Sequence, residues 1–184
     1  MVGQQVVSVF GGSTPLPGSA DYESARRVGE LLARAGFAVA TGGYSGVMEA
    51  VSRGANEAGG RVIGVTSDRI ERKYGRTMNS WVTERVHYPT LGERMRHLVE
   101  QYDAAIAMPG GIGTLAEVAY TWSMVQTGES KRKPLVLVGP RWQETMNAFL
   151  NETSDYIKEP DRRLITLVRN GDEAIKELKR MLST

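Results

Sequence analysis

The 184-residue chain has no cysteine, only two histidines, three phenylalanines and no long apolar run. Without cysteine there can be no disulfide framework, zinc–thiolate site or cysteine nucleophile. The two histidines, His87 and His97, suggest no catalytic triad and read as packing or surface residues. Asp and Glu show no metal-ligand spacing, so no metal is expected. No stretch approaches the roughly 18 apolar residues of a membrane span. The start shows no charged-then-apolar leader pattern. No membrane association is therefore expected, and the cytoplasm is the default compartment. Charge of one sign is also missing: 23 basic against 21 acidic residues leave a net charge of +2. That balance gives no reason to expect a nucleic-acid partner.

What is present is an ordinary soluble composition, 41% hydrophobic and 24% charged, in a length that suits one domain over residues 1–184. Strand and helix patterns alternate throughout. Strands are predicted at 6–10, 37–40, 61–65, 81–87, 104–107, 134–138 and 165–168. Helices are predicted at about 21–35, 47–58, 91–101, from the turn at 109–114 onward, 142–150 and 172–182. Residues 66–80, with Arg69, Arg72, Lys73 and Arg76, read as a solvated loop, the alternative being a lid over a ligand. Alternation of this kind implies an α/β fold, a doubly wound parallel sheet of about six to seven strands with helices on both faces. Such sheets bind ligands at the carboxyl ends of their strands, where the strand order switches.

Three glycine-rich turns follow predicted strands: Gly11-Gly12-Ser13, Gly42-Gly43-Tyr44-Ser45-Gly46, and Pro109-Gly110-Gly111-Ile112-Gly113-Thr114. The third is the most informative. A buried strand, Ala104-Ala105-Ile106-Ala107, ends in glycines that let backbone approach an anion, and a helix starts at once. The first N–H groups of that helix lack intrahelical partners and point at the same spot, which suits phosphate. Thr114 can add a hydroxyl donor. Glu117, three residues on, shares a helix face with Thr114. Its place near a helix N-terminus predicts a carboxylate that stays ionised. The expected phosphate-binding set is Gly12, Ser13, Gly42, Gly43, Gly46, Gly110, Gly111, Gly113 and Thr114. Met48 and the stripe Leu115, Val118, Ala119, Trp122 and Val125 read as core or dimer contacts.

Gly111-Ile112-Gly113-Thr114-Leu115-Ala116 formally satisfies the dinucleotide pattern. It follows the fifth strand rather than the first, however, and no ribose-binding acid stands about 20 residues on, which argues against NAD. A nucleoside-triphosphate loop fails too, since no Lys-Ser/Thr pair follows the glycines. Pyridoxal-phosphate decarboxylation needs a Schiff-base lysine, and none occurs between Lys73 and Lys131. No cofactor is expected.

Residues 109–117, Pro-Gly-Gly-Ile-Gly-Thr-Leu-Ala-Glu, resemble the PGGxGTxxE signature of the LOG family, the cytokinin riboside 5′-monophosphate phosphoribohydrolases once labelled "lysine decarboxylase-like". The resemblance extends over nearly the whole chain. Gly42 to Met48 resembles the family's GGxxGxM segment, and Glu93-Arg94 resembles the start of its ERK segment. It implies a Rossmann-like homodimer that cleaves the N-glycosidic bond of a nucleoside 5′-monophosphate to free base and ribose 5-phosphate. Arg94 and Glu117 would be the catalytic pair. Met95 stands where the family has lysine, Met-His is missing before Glu93, and Glu49 follows Met48. These departures fall on the base-recognition side, so the resemblance implies a purine monophosphate and leaves N6-prenylation open. A second group with this fold and a similar turn, the molybdenum-cofactor carriers, implies binding of a phosphate-bearing pterin without reaction.

Overall fold

A central strand that is buried on both faces is mostly apolar, and four strands here fit that pattern, with Ser8 and Thr41 as their only polar residues. They are β1 (Val6–Phe10), β2 (Ala38–Thr41), β5 (Ala104–Ala107) and β6 (Leu135–Val138). With β3 (Val62–Ser67), β4 (Glu84–Tyr88) and β7 (Thr166–Val168) they form one seven-stranded sheet in the order β4-β3-β2-β1-β5-β6-β7. Every pairing is parallel. The computed structural model describes residues 3–183. Met1, Val2 and Thr184, the ends of the expected domain, lie outside the described residues.

The two-residue period of the strands divides the core into two. Val7, Val9, Ile106, Val136 and Val138 face one side, where α1 (Ala20–Arg34), α2 (Val47–Glu57) and α8 (Gly171–Leu182) pack. Phe10, Ala105, Ala107, Leu135 and Leu137 face the other. There they meet α4 (Leu91–Glu100), α5 (Ile112–Gln126) and α6 (Pro140–Glu152). No helix among the described residues is long and apolar enough to cross a membrane.

Several boundaries differ from the sequence expectation, each for a local reason. Residues 66–80 are not an open loop. Strand β3 runs on to Ser67, and α3 (Asp68–Tyr74) follows, stopped by Gly75 in the left-handed conformation at φ 60°. None of its residues is buried, so it has no apolar stripe to reveal it. Strand β4 starts at Glu84 rather than Trp81, because Asn79 folds a turn there: its side-chain oxygen accepts from Trp81 N–H. A single turn, α7 (Glu159–Arg162), was not anticipated.

Helices α1 and α2 approach each other closely. A Cβ on Gly54 would lie 1.9 Å from Arg26 O, and one on Gly29 would lie 2.1 Å from Val51 O. Alanine raises intrinsic helix stability by about 1 kcal/mol over glycine, so Gly54→Ala sets propensity against packing. Overpacking at backbone contact outweighs that gain, and a net loss of about 1–3 kcal/mol is expected as a lower urea midpoint. A raised midpoint would mean that the two helices are not held this close.

Candidate active site

The sheet order makes β2, β1 and β5 neighbours, with the switch in strand order between β1 and β5. The three glycine-rich turns therefore leave adjacent carboxyl ends. Backbone hydrogen bonds join them: Gly12 N–H donates to Pro109 O at 3.0 Å, and Val47 N–H donates to Gly12 O at 2.8 Å. Close approach is obligatory at Gly110, where a Cβ would meet Thr114 Oγ1 at 2.1 Å and Gly12 N at 2.8 Å.

Above the turns opens a cavity of about 520 Å³. Gly12, Ser13, Gly42, Gly111, Gly113, Thr114, Arg94 and Glu117 all line it. Gly43 and Gly46 instead stand behind the wall as packing positions, against Thr66 and Ser13, and Gly110 is exposed on the outer side of its turn, against Thr114. Met48, expected in core or dimer contacts, lines the cavity with its sulfur 3.9 Å from Arg94 Nη2. It is drawn there because Gly46 starts α2 at the cavity's edge. Val118 lies in the core, whereas Leu115 and Ala119 are exposed. The histidines lie elsewhere: His87 pairs with Asp68, and His97 sits between the hydroxyls of Tyr88 and Tyr102.

Arg94 is aimed by the start of α4. Thr90 and Glu93 form a capping box, with Thr90 Oγ1 accepting from Glu93 N–H and the Glu93 carboxylate accepting from Thr90 N–H. Glu93 is thus a helix-start residue, and the next position points inward. Arg94 is 6% exposed. Its Nε donates to Val65 O at 2.7 Å and its Nη2 to Gly42 O at 3.1 Å. Gly42 makes room for this, since a Cβ there would lie 1.9 Å from Nη2. The guanidinium also lies 5.5 Å from the centre of the Tyr44 ring. The Tyr44 hydroxyl is fixed in turn by Ser67, accepting from its N–H at 2.8 Å.

Glu117 is 9% exposed. Among the described residues no hydrogen bond or ion pair reaches its carboxylate. Burial pushes its pKa up to about 7 from 4.5, and the positive charge of Arg94 acts in the opposite direction. This corrects the expectation of a fully ionised acid. A helix N-terminus stabilises a carboxylate by only about 0.3–1 kcal/mol at an exposed position, and loss of solvent outweighs it. Burial also lowers the pKa of Arg94, with Glu117 and Tyr44 raising it. Arginine starts so far above neutrality that it keeps its proton. The cavity thus holds a permanent cation and an acid poised to gain or lose a proton near pH 7.

The other wall comes from the segment read chiefly as a solvated loop. Arg69, Ile70, Lys73, Tyr74 and Arg76, from α3 and the residues after it, line the cavity. The segment does stand beside the ligand space, as the lid alternative required.

Residues 48–178 match the family model described as "Possible lysine decarboxylase". The chain belongs to this family, the LOG family. An uncharacterized protein of Archaeoglobus fulgidus is 34% identical over 71% of this chain and 83% of its own length. A cytokinin riboside 5′-monophosphate phosphoribohydrolase of Mycobacterium tuberculosis is 28% identical over 96% of this chain and 94% of its own. Among solved structures, a molybdenum cofactor binding protein from Rippkaea orientalis superposes with a TM-score of 0.78 at 25% identity, covering 100% of both chains.

The raised Glu117 pKa has a consequence for stability. Between pH 4.5 and about 7 the folded chain holds a proton that the unfolded chain releases, so this group makes stability fall as pH rises through that window. Above it the penalty is constant, on the order of 3–4 kcal/mol. Glu117→Gln should therefore gain stability relative to wild type on going from pH 5 to pH 8, read from urea midpoints. A difference that does not change with pH would mean an ordinary carboxyl.

Proposed function

We propose that the cavity hydrolyses the N-glycosidic bond of a purine nucleoside 5′-monophosphate, releasing the free base and ribose 5-phosphate. The observation that carries this reading is the buried, unpartnered Glu117 carboxyl facing the same space as Arg94, one helical turn past a phosphate-type turn. Family membership and the activity named for the mycobacterial relative support it. The molybdenum cofactor binding protein that superposes on this chain shares its fold, but the relative aligned over 96% of this chain is named for phosphoribohydrolase activity, and that favours the hydrolase over a carrier.

The chemistry follows from the groups present. The unpaired amides at the start of α5, with Thr114, hold the 5′-phosphate. Cleavage passes through an oxocarbenium-like sugar, which an adjacent carboxylate stabilises. The C1′–N bond breaks and its electron pair leaves with the base, while water oxygen bonds to C1′. Ionised Glu117 orients that water and takes its proton, which then passes through solvent to the departed base nitrogen, giving the neutral free base and restoring the carboxylate. Arg94 spends Nε and one Nη2 hydrogen on backbone carbonyls. Nη2 also faces Met48 Sδ, which leaves the two Nη1 hydrogens for the departing base, and permanent protonation excludes the arginine as a proton donor in the acid–base sense.

Chromatography of AMP and N6-isopentenyl-AMP after incubation tests the reading. Wild type should release base and ribose 5-phosphate, and Glu117→Gln should lose about 10²–10⁴-fold in rate. The wild-type rate should rise with pH through about 7 as Glu117 ionises. A rate that falls through that range would make Glu117 the acid instead. No release from either nucleotide would sink the hydrolase reading.

A homodimer is part of the same proposal. Ile112, Leu115 and Ala119 occupy one exposed flank of α5, at helical spacing. Ile112 is 84% exposed. Light scattering should give about twice the 20.2 kDa chain mass, and Leu115→Glu should lower it toward the monomer. A monomeric wild type would remove this flank as an interface.

A further inference from the structure

The charges on α3 are sorted by face. Asp68, Glu71 and Arg72 are spent on ion pairs: Asp68 with His87 and Arg72, and Glu71 with Arg85. The cavity side carries Arg69 and Lys73, and Arg76 follows just after the helix. Among the described residues none of these three cations forms an ion pair. Arginines over most of the remaining surface do, as with Arg26, Arg53, Arg61 and Arg141.

Arg76 is the most constrained of the three. Its Nη2 donates to Ser13 Oγ at 2.9 Å and its Nη1 to Ser45 Oγ at 3.1 Å. The guanidinium fork is thus spread over two neutral hydroxyls from two different turns, and Ser45 Oγ itself donates to Ser13 O. Ser13 adjoins Gly12, whose N–H is bonded to Pro109 O at the edge of the phosphate-type turn. A planar, permanently charged fork matches two oxygens of a phosphate far better than two hydroxyls. Its other contact is the Tyr74 ring, 5.9 Å from the guanidinium to the ring centre, so its charge stands without a counter-ion beside the anion cradle.

We infer that Arg76 is the residue that distinguishes phosphorylated from unphosphorylated ligands. It exchanges its hydroxyl partners for the ligand's phosphate and closes that group between the α3 side and the turn at 110–114. Arg69 and Lys73 add to the positive potential without fixing geometry. The inference rests on the hydrolase reading only for the identity of the ligand as a sugar phosphate.

Calorimetric titration of ribose 5-phosphate into wild type, Arg76→Ala, Arg76→Lys and Arg72→Ala tests it, with AMP turnover measured on the same proteins. Arg76→Ala should weaken ribose 5-phosphate binding about tenfold or more, as expected for loss of a charge-assisted pair. It should raise KM for AMP more than it lowers kcat. Arg76→Lys should recover part of the affinity. Arg72→Ala removes a charge from the outer face of the same helix and should bind as wild type does. Equal affinity in wild type and Arg76→Ala, no ribose 5-phosphate binding by wild type, or a matching loss of adenosine binding would each overturn the inference. Intact binding with no turnover would overturn the hydrolase reading and leave the role of Arg76 standing.

Discussion

The site depends on a pair of backbone hydrogen bonds at Gly12. Its N–H is bonded to the turn after β5 and its carbonyl to the first amide of α2. Three loops that are up to about a hundred residues apart in the chain are thereby tied into one rigid rim. Rigidity there matters because a phosphate cradle made of amides works only if those dipoles are already oriented. It also explains why residues without side chains cluster in this region. At Gly42 and Gly110 a Cβ would occupy the space taken by Arg94 and Thr114, so the glycines admit functional side chains as well as the ligand.

On that rim the chain places two ionisable groups at unequal cost. Arg94 is desolvated but retains two carbonyl partners and an aromatic face. Glu117 is desolvated with no partner. Had the two been brought into direct contact, each would have satisfied the other, and the carboxyl would have titrated well below neutrality. Keeping them in one cavity but apart leaves the acid with a pKa of about 7 and leaves arginine donors for another molecule. A penalty of this size is what burial without a partner imposes on a carboxyl, and the proposed chemistry makes use of it.

Much of this was legible in the sequence because it is local. Strand, turn and helix at 104–117 are contiguous, and the alternation of elements fixes where such a turn must lie in a parallel sheet. Other parts were encoded but ambiguous. Thr90 and Glu93 carry the capping-box spacing, yet Glu93 reads only as the start of the family's ERK segment until the cap is seen. What could not be read arises from distant contacts. Arg76 gains its meaning from Ser13, 63 residues away. The pKa of Glu117 depends on how completely α4, α5 and the turns exclude water, which spacing does not express. Helix α3 escaped because its contacts are polar, and periodicity detects only apolar faces.

That polar attachment separates the cavity into parts of different character. The floor is backbone, held by hydrogen bonds to the central strands and by the core beneath them. The wall is α3, a seven-residue helix with no buried side chain, fastened to β4 by Asp68–His87 and Glu71–Arg85. Exposed ion pairs of this kind contribute roughly 0–1 kcal/mol each, so the wall can shift or change in sequence at little cost to the fold. The floor has less freedom, since Gly12, Gly42 and Gly110 are also close structural contacts. A scaffold built this way can keep its grip on phosphate while its wall is remodelled for different groups attached to that phosphate. Proteins named for nucleotide hydrolysis and for cofactor binding can accordingly share one sheet.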